Sequence, residues 1–143
     1  MAEIIQLEPE DLMDHFDSCV QEASRVSRNL WDQHKGVVIA IGEGKSVIGR
    51  QSQSLVIALA RVVHQILSSN KVDGLVMVGG ETGYAVCRSL GIERIEIFGN
   101  ISFVAAYGKP VGNLMDIEIL VTKGGSLGEE DTLEKVLNFL GLF

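Results

Sequence analysis

Hydrophobic positions along the chain fall first into a helical rhythm. Leu12, Phe16, Cys19 and Val20, Ala23, Val26, then Leu30 and Trp31 recur every three or four residues, the spacing that lays apolar side chains along one face of an α-helix. Pro9 suits a first helical turn, and Glu10 and Asp11 favour the positive end of the helix dipole. The stripe stops at His34-Lys35-Gly36, so one long helix is expected over about 9–34. Val37-Val38-Ile39-Ala40-Ile41 is then continuously apolar, which reads as a strand covered on both faces. A polar loop from Gly42 to Arg50 leads into a second stripe, Leu55, Leu59, Val62, Val63 and Ile66, ending at Ser68-Ser69-Asn70.

Leu75 to Val78 predicts another buried strand, followed at once by Gly79-Gly80-Glu81-Thr82 and a helix from about Thr82 to Leu90 that Gly91 closes. Ile92, Ile95 and Ile97 frame a third strand, and Glu93, Arg94 and Glu96 place it near a sheet edge. Phe103 to Ala106 reads as a short strand before a turn at Gly108-Lys109-Pro110. Ile117 to Thr122 is a last strand, followed by a loop from Lys123 to Gly128 and a helix carrying Leu133, Val136, Leu137 and Leu140. Strands separated by helices require right-handed crossovers, so the pattern predicts an α/β fold: a three-layer α/β/α sandwich with a mostly parallel sheet. One domain over 1–143 is expected, the N-terminal helix followed by an α/β core over about 36–143.

Composition narrows the functions this fold could serve. The 143 residues are 46% hydrophobic, enough for a real core. The formal net charge of −7 repels nucleic-acid backbones and anionic lipid, so any phosphate must be held by local dipoles. The acidic N-terminus does not fit a signal peptide, and the longest apolar run, Leu55 to Ala60, is too short to span a bilayer. Cys19 and Cys87 lack metal-ligand spacing, and a reduced, cytoplasmic protein without nucleic-acid or membrane partners is expected.

In parallel α/β sheets ligands gather beyond the carboxyl ends of strands, where loops meet helix N-termini. Three loops qualify: Gly42–Ser46, Gly79–Thr82 and Lys123–Gly128. Gly79 and Gly80 let the backbone approach an anion, while Thr82 offers a hydroxyl or an ordinary N-cap, and Glu81 suits a ribose hydroxyl or a magnesium shell. The same pair could equally make only a tight turn. Gly124, Gly125 and Gly128 repeat the pattern, with Lys123 as the one cation near this mouth, although Glu129, Glu130 and Asp131 could satisfy the next helix start by themselves. Gly44-Lys45-Ser46 lacks the earlier glycine of a P-loop, since Ile39 stands in its place. His15, His34 and His64 share no motif, Cys87 reads as a packing residue, and no nucleophile elbow occurs, so neither a metal site nor triad catalysis is expected.

Taken in order, Gly79-Gly80-Glu81-Thr82, Gly108-Lys109-Pro110-Val111-Gly112 and Lys123-Gly124-Gly125-Ser126-Leu127-Gly128 resemble the C-terminal nucleotide-binding domain of the four-carbon acid sugar kinases. Those enzymes share a Gly-Gly-Asp/Glu-Thr loop, a Gly-x-Pro-x-Gly turn and a closing Lys-Ser/Ala-Gly-Gly/Asn-Phe-Gly loop, and transfer the ATP γ-phosphate to acids such as threonate or erythronate. The resemblance implies ATP and Mg2+ as cofactors, with Gly79, Gly80, Glu81 and Thr82 as one wall of the ATP site and Gly125, Gly124 and Lys123 as the other. Gly124, Ser126 and Leu127 depart from the family residues but leave the glycine spacing intact. It further implies an N-terminal sugar-acid-binding domain or subunit, without which this chain binds nucleotide and turns over little, and it leaves room for a homo-oligomer. A non-catalytic binding or assembly module on the same scaffold, or a domain holding a single sugar phosphate, are the competing readings.

Overall fold

The computed structural model describes residues 2–33, 36–42, 50–112 and 115–141, with 50 and 51 by backbone alone. Its chain divides into two compact units, Met1–Asn70 and Lys71–Phe143. Both combine helices with strands, the α/β class that the alternating pattern predicts.

The first unit holds β1 (Ala2–Leu7), α1 (Pro9–Asp14), α2 (Phe16–Asp32), β2 (Gly36–Ile41) and α3 (Arg50–Ser69). β1, which the hydrophobic pattern does not announce, lies parallel to β2 in a register that matches Ala2 with Gly36 and Leu7 with Ile41. Its six residues, Ala-Glu-Ile-Ile-Gln-Leu, neither alternate cleanly nor form a continuous apolar run, so the periodic signal is weak and the pairing supplies the rest. The expected single helix is broken at His15, whose φ of −130° and ψ of 44° leave helical geometry. Neither glycine nor proline marks this break, and the apolar stripe runs through it undisturbed. Leu7, Leu12, Ala23, Leu55, Leu59, Val62 and Ile66 form the core, with Phe16 and Trp31 packed against it. The Arg61 guanidinium lies 4.3 Å over the Phe16 ring, a cation–π contact at the edge of that core.

In the second unit β3 (Gly74–Val78), α4 (Gly80–Ser89), β4 (Arg94–Ser102), β5 (Ala105–Val111), β6 (Ile119–Lys123) and α5 (Thr132–Phe139) follow one another. The four strands are ordered β3-β6-β5-β4, so charged β4 does occupy an edge. β3 and β6 are parallel, whereas β5 runs antiparallel to both β4 and β6. The antiparallel part follows from chain length: only Phe103 and Val104 join β4 to β5, enough for a hairpin and far too few for a crossover. Neighbouring strand residues point to opposite faces. Val76 joins the cluster of Val121 and Val136 beneath α5, while Met77 meets Gly83 and lies 3.8 Å from the Cys87 sulfur of α4. Helices thus cover both faces of this sheet, giving three layers within the unit.

The turn expected at Gly108-Lys109-Pro110 is instead the second half of β5. Pro110 pairs with Ile95 at a point where the ladder to β6 has already ended at Gly108, so its missing N–H costs no bond on that side. Gly108 is required here, because any β-carbon would collide with the Glu96 carbonyl where β4 bulges between Ile97 and Gly99.

Candidate functional site

Parallel register places the two glycine loops side by side. Val78 at the end of β3 faces Lys123 at the end of β6, so Gly79–Thr82 and Lys123–Gly128 leave the sheet at the same rim. The Gly79 amide donates to the Lys123 carbonyl at 2.9 Å. A β-carbon on Gly125 would stand 3.6 Å from the Gly79 α-carbon, so any side chain there would be in contact with the Gly79 backbone. Gly79 has φ of +95°, where L side chains are strained, so glycine at this turn is a conformational need.

Gly79 also turns out to be the N-cap of α4, and no side chain caps the helix. Thr82, one candidate for that cap, lies inside the first turn instead, its hydroxyl 3.9 Å from where a Gly79 β-carbon would be. The first helical bond runs from the Gly83 amide to the Gly79 carbonyl, leaving the amides of Gly80, Glu81 and Thr82 without helical acceptors. Free amides combined with the positive end of the helix dipole favour an anion. Beyond its chain neighbours and its own helix backbone, nothing among the described residues lies within 4 Å of a β-carbon placed on Gly80, so this corner is open. Glu81 is exposed beside it.

The second loop is organised differently from the expected helix start. α5 begins only at Thr132, so Glu129 and Glu130 precede it, and Asp131 at the N-cap position pairs with Lys135 at 2.9 Å. The acidic residues therefore do not fill the loop's own amides. The Glu129 amide donates to the buried Thr132 hydroxyl at 2.9 Å, and Gly124 is tied to the hairpin tip through the Val104 carbonyl at 3.1 Å. Gly128 has φ of +109° and no room for a β-carbon between Thr132 and Val104. Lys123 is buried, and its ammonium faces the carbonyls of its own loop. Ser126 and Gly128 join Gly125 in the exposed rim, with Gly124 half-buried behind it; the signal for them in the sequence is only the spacing of glycines after a strand-ending lysine.

The Gly44-Lys45-Ser46 segment and His34 lie outside the described residues. Burial pushes the Cys87 thiol above its ordinary range, which suits a packing residue and disfavours a nucleophile. Among the described residues no group of three or more His, Cys, Asp or Glu side chains could hold a metal ion, and no helix is long and apolar enough to cross a membrane. A polar groove of about 360 Å³ lies between α2 and α3, lined by Ser24, Arg25, Arg28, Asn29 and Gln65, but Arg25 is already paired with Glu22 at 2.7 Å.

Two adjoining glycine turns and an uncapped helix at the carboxyl ends of parallel strands define an α/β domain of the ligand-binding class. The chain belongs to the family described as the nucleotide-binding C-terminal domain, which matches residues 1–133. A D-erythronate kinase from Heliobacterium modesticaldum is 28% identical over 146 residues, covering 97% of this chain and 32% of that enzyme. Among solved structures, a protein of a domain family of unknown function from Bordetella bronchiseptica, crystallised as a domain-swapped dimer with citrate, superposes with a TM-score of 0.78 at 18% identity, covering 94% of this chain and 34% of that one. A Haemophilus influenzae protein of that same family superposes at 0.76 and 19% identity, covering 96% of this chain and 34% of its own. The chain thus spans about a third of the length of the relatives it matches.

Proposed function

We propose that this chain is the ATP-binding domain of a kinase that phosphorylates four-carbon sugar acids, threonate- or erythronate-like. The observation that carries the reading is the close approach of the two glycine loops, joined by the Gly79 amide on the Lys123 carbonyl, beside the uncapped start of α4. In this reading Gly79, Gly80, Glu81 and Thr82 form one wall of the triphosphate site, and Gly124 and Gly125 the other. The main-chain amides neutralise phosphate charge in a protein whose net charge of −7 could not do so at long range.

The donor set also suits magnesium, which keeps most of its water and binds through substrate phosphates with one or two carboxylates. Glu81, exposed at the loop, would hold it, and the ion would supply charge neutralisation for phosphoryl transfer. Positioning an acceptor in line with the γ-phosphate falls to a separate sugar-acid-binding domain or subunit on the N-terminal side. Support for such a partner comes from the third of the relatives' length that this chain spans. Residues 1–143 act together as one nucleotide-binding domain, since one family description extends through both compact units. The domain works in the cytoplasm, in keeping with two free thiols, and a homo-oligomer is open to it, the Bordetella bronchiseptica neighbour having crystallised as a domain-swapped dimer.

Calorimetry with Mg-ATP on the folded chain tests this. Saturable binding below millimolar nucleotide is the expected result. No binding at millimolar ATP, together with a stable homomer indifferent to nucleotide, would establish a non-catalytic assembly module instead.

A further inference from the structure

Lys123 ends β6 with 9% of its surface exposed, a setting a cationic side chain tolerates only when its ammonium is satisfied. Its Nζ donates to the carbonyls of Gly124 at 2.7 Å, Gly125 at 3.1 Å and Leu127 at 2.7 Å. All the donors of an ammonium are therefore spent on its own loop. In a planar trans peptide the C=O of one residue and the N–H of the next point in opposite directions. Carbonyls turned onto Lys123 thus turn the amides of Gly125, Ser126 and Gly128 away from it, on a stretch that is exposed throughout. None of these amides meets an acceptor among the described residues. The outward amides are thus left free to donate to anionic groups outside the loop, with a cation lodged behind them.

We propose that Lys123 is a positioning residue: it holds residues 124–128 from behind with their amides turned outward to the phosphates and does not itself touch them. The inference rests on the nucleotide reading above and assigns the phosphate contacts within it to the amides of Gly125, Ser126 and Gly128. A lysine swung outward to meet phosphate would leave the carbonyls of Gly124, Gly125 and Leu127 without their shared donor.

Nitrogen-15 NMR of the full chain, titrated with magnesium-free ATP, reads the assignment directly. The amide signals of Gly125, Ser126 and Gly128 shift, while a slowly exchanging Lys123 Nζ signal stays in place; an Nζ signal that moves with the amides overturns the proposal. Lys123→Met and Lys123→Gln are both neutral, but only glutamine can still donate to the loop carbonyls. Lys123→Met is expected to weaken ATP binding at least tenfold, with Lys123→Gln recovering part of the loss. Equal losses in the two variants, or no loss in methionine, overturn it. Should Lys123→Met fail to fold by circular dichroism, the glutamine variant and the wild-type Nζ signal decide. If the wild type binds no ATP, inorganic tripolyphosphate separates the two ideas: shifts at the three amides keep the anion-binding loop and discard the nucleotide reading, and their absence discards the loop's role.

Discussion

Gly80→Val separates the stability of the fold from the chemistry of its rim. Gly80 is the first residue of α4, and beyond its own helix and chain neighbours a β-carbon there meets nothing within 4 Å among the described residues, so the substitution creates no clash with them. Replacing glycine where the backbone already suits an L residue stabilises by about 0.4–1 kcal/mol through the unfolded chain, and the lower helix propensity of a β-branched residue offsets part of that. The net change in folding free energy is therefore within about 1 kcal/mol of zero. Binding responds differently, because the side chain fills the open corner beside the amides of Gly80, Glu81 and Thr82. A hydrogen bond to a charged group contributes about 1.5–3 kcal/mol, and each 1.4 kcal/mol is tenfold in affinity, so losing one such contact weakens ATP roughly ten- to a hundredfold. Calorimetry gives the affinity and a thermal melt without ligand gives the stability. A variant that melts like the wild type and binds Mg-ATP equally well would refute phosphate binding at this helix start. Gly125→Val repeats the test from the other loop, with the Gly79 backbone as its near neighbour.

Three further outcomes follow from the packing. Ser27 is fully buried in α2 and its hydroxyl has no partner among the described residues, so Ser27→Ala should raise stability by about 1 kcal/mol in urea melts; a loss would reveal a hidden acceptor. Gly108→Ala drives a methyl group into the Glu96 carbonyl and should cost about 1–3 kcal/mol or prevent folding, read by the same melts, with an unchanged midpoint as the contrary result. Burial raises the thiol pKa of Cys87, so less thiolate is present at a given pH than for a free cysteine. Iodoacetamide, followed by peptide mapping, should alkylate Cys87 more slowly than free cysteine at pH 8, with the gap closing as pH rises past the folded pKa; faster labelling would contradict the burial argument.

Local sequence carried most of the elements and the site candidates. The stripe of Leu55, Leu59, Val62 and Ile66 marks α3, and all four of those residues are buried in its unit. Leu75 to Val78 marks β3, and glycine pairs after two strands mark both loops of the rim. These features were legible because each depends on residues within a few positions of one another: periodicity sets a buried face, and glycine sets what a turn can do.

What depended on distant partners could not be read this way. β1 becomes a strand by pairing with β2, some thirty residues later. The Gly108-Lys109-Pro110 segment carries turn residues, yet β4 and β6 draw its neighbourhood into the sheet, and close approach to Glu96 is the reason for its glycine.

The sequence by itself determined that this is an α/β chain with two glycine loops following strands, because side-chain period and glycine placement are local properties. Only the tertiary structure decided that the loops touch, since that depends on β6 pairing beside β3 rather than at the far edge of the sheet. The same folding turned Lys123 inward: a lone lysine at a strand end reads as a free cation until the carbonyls that claim it are brought around its ammonium.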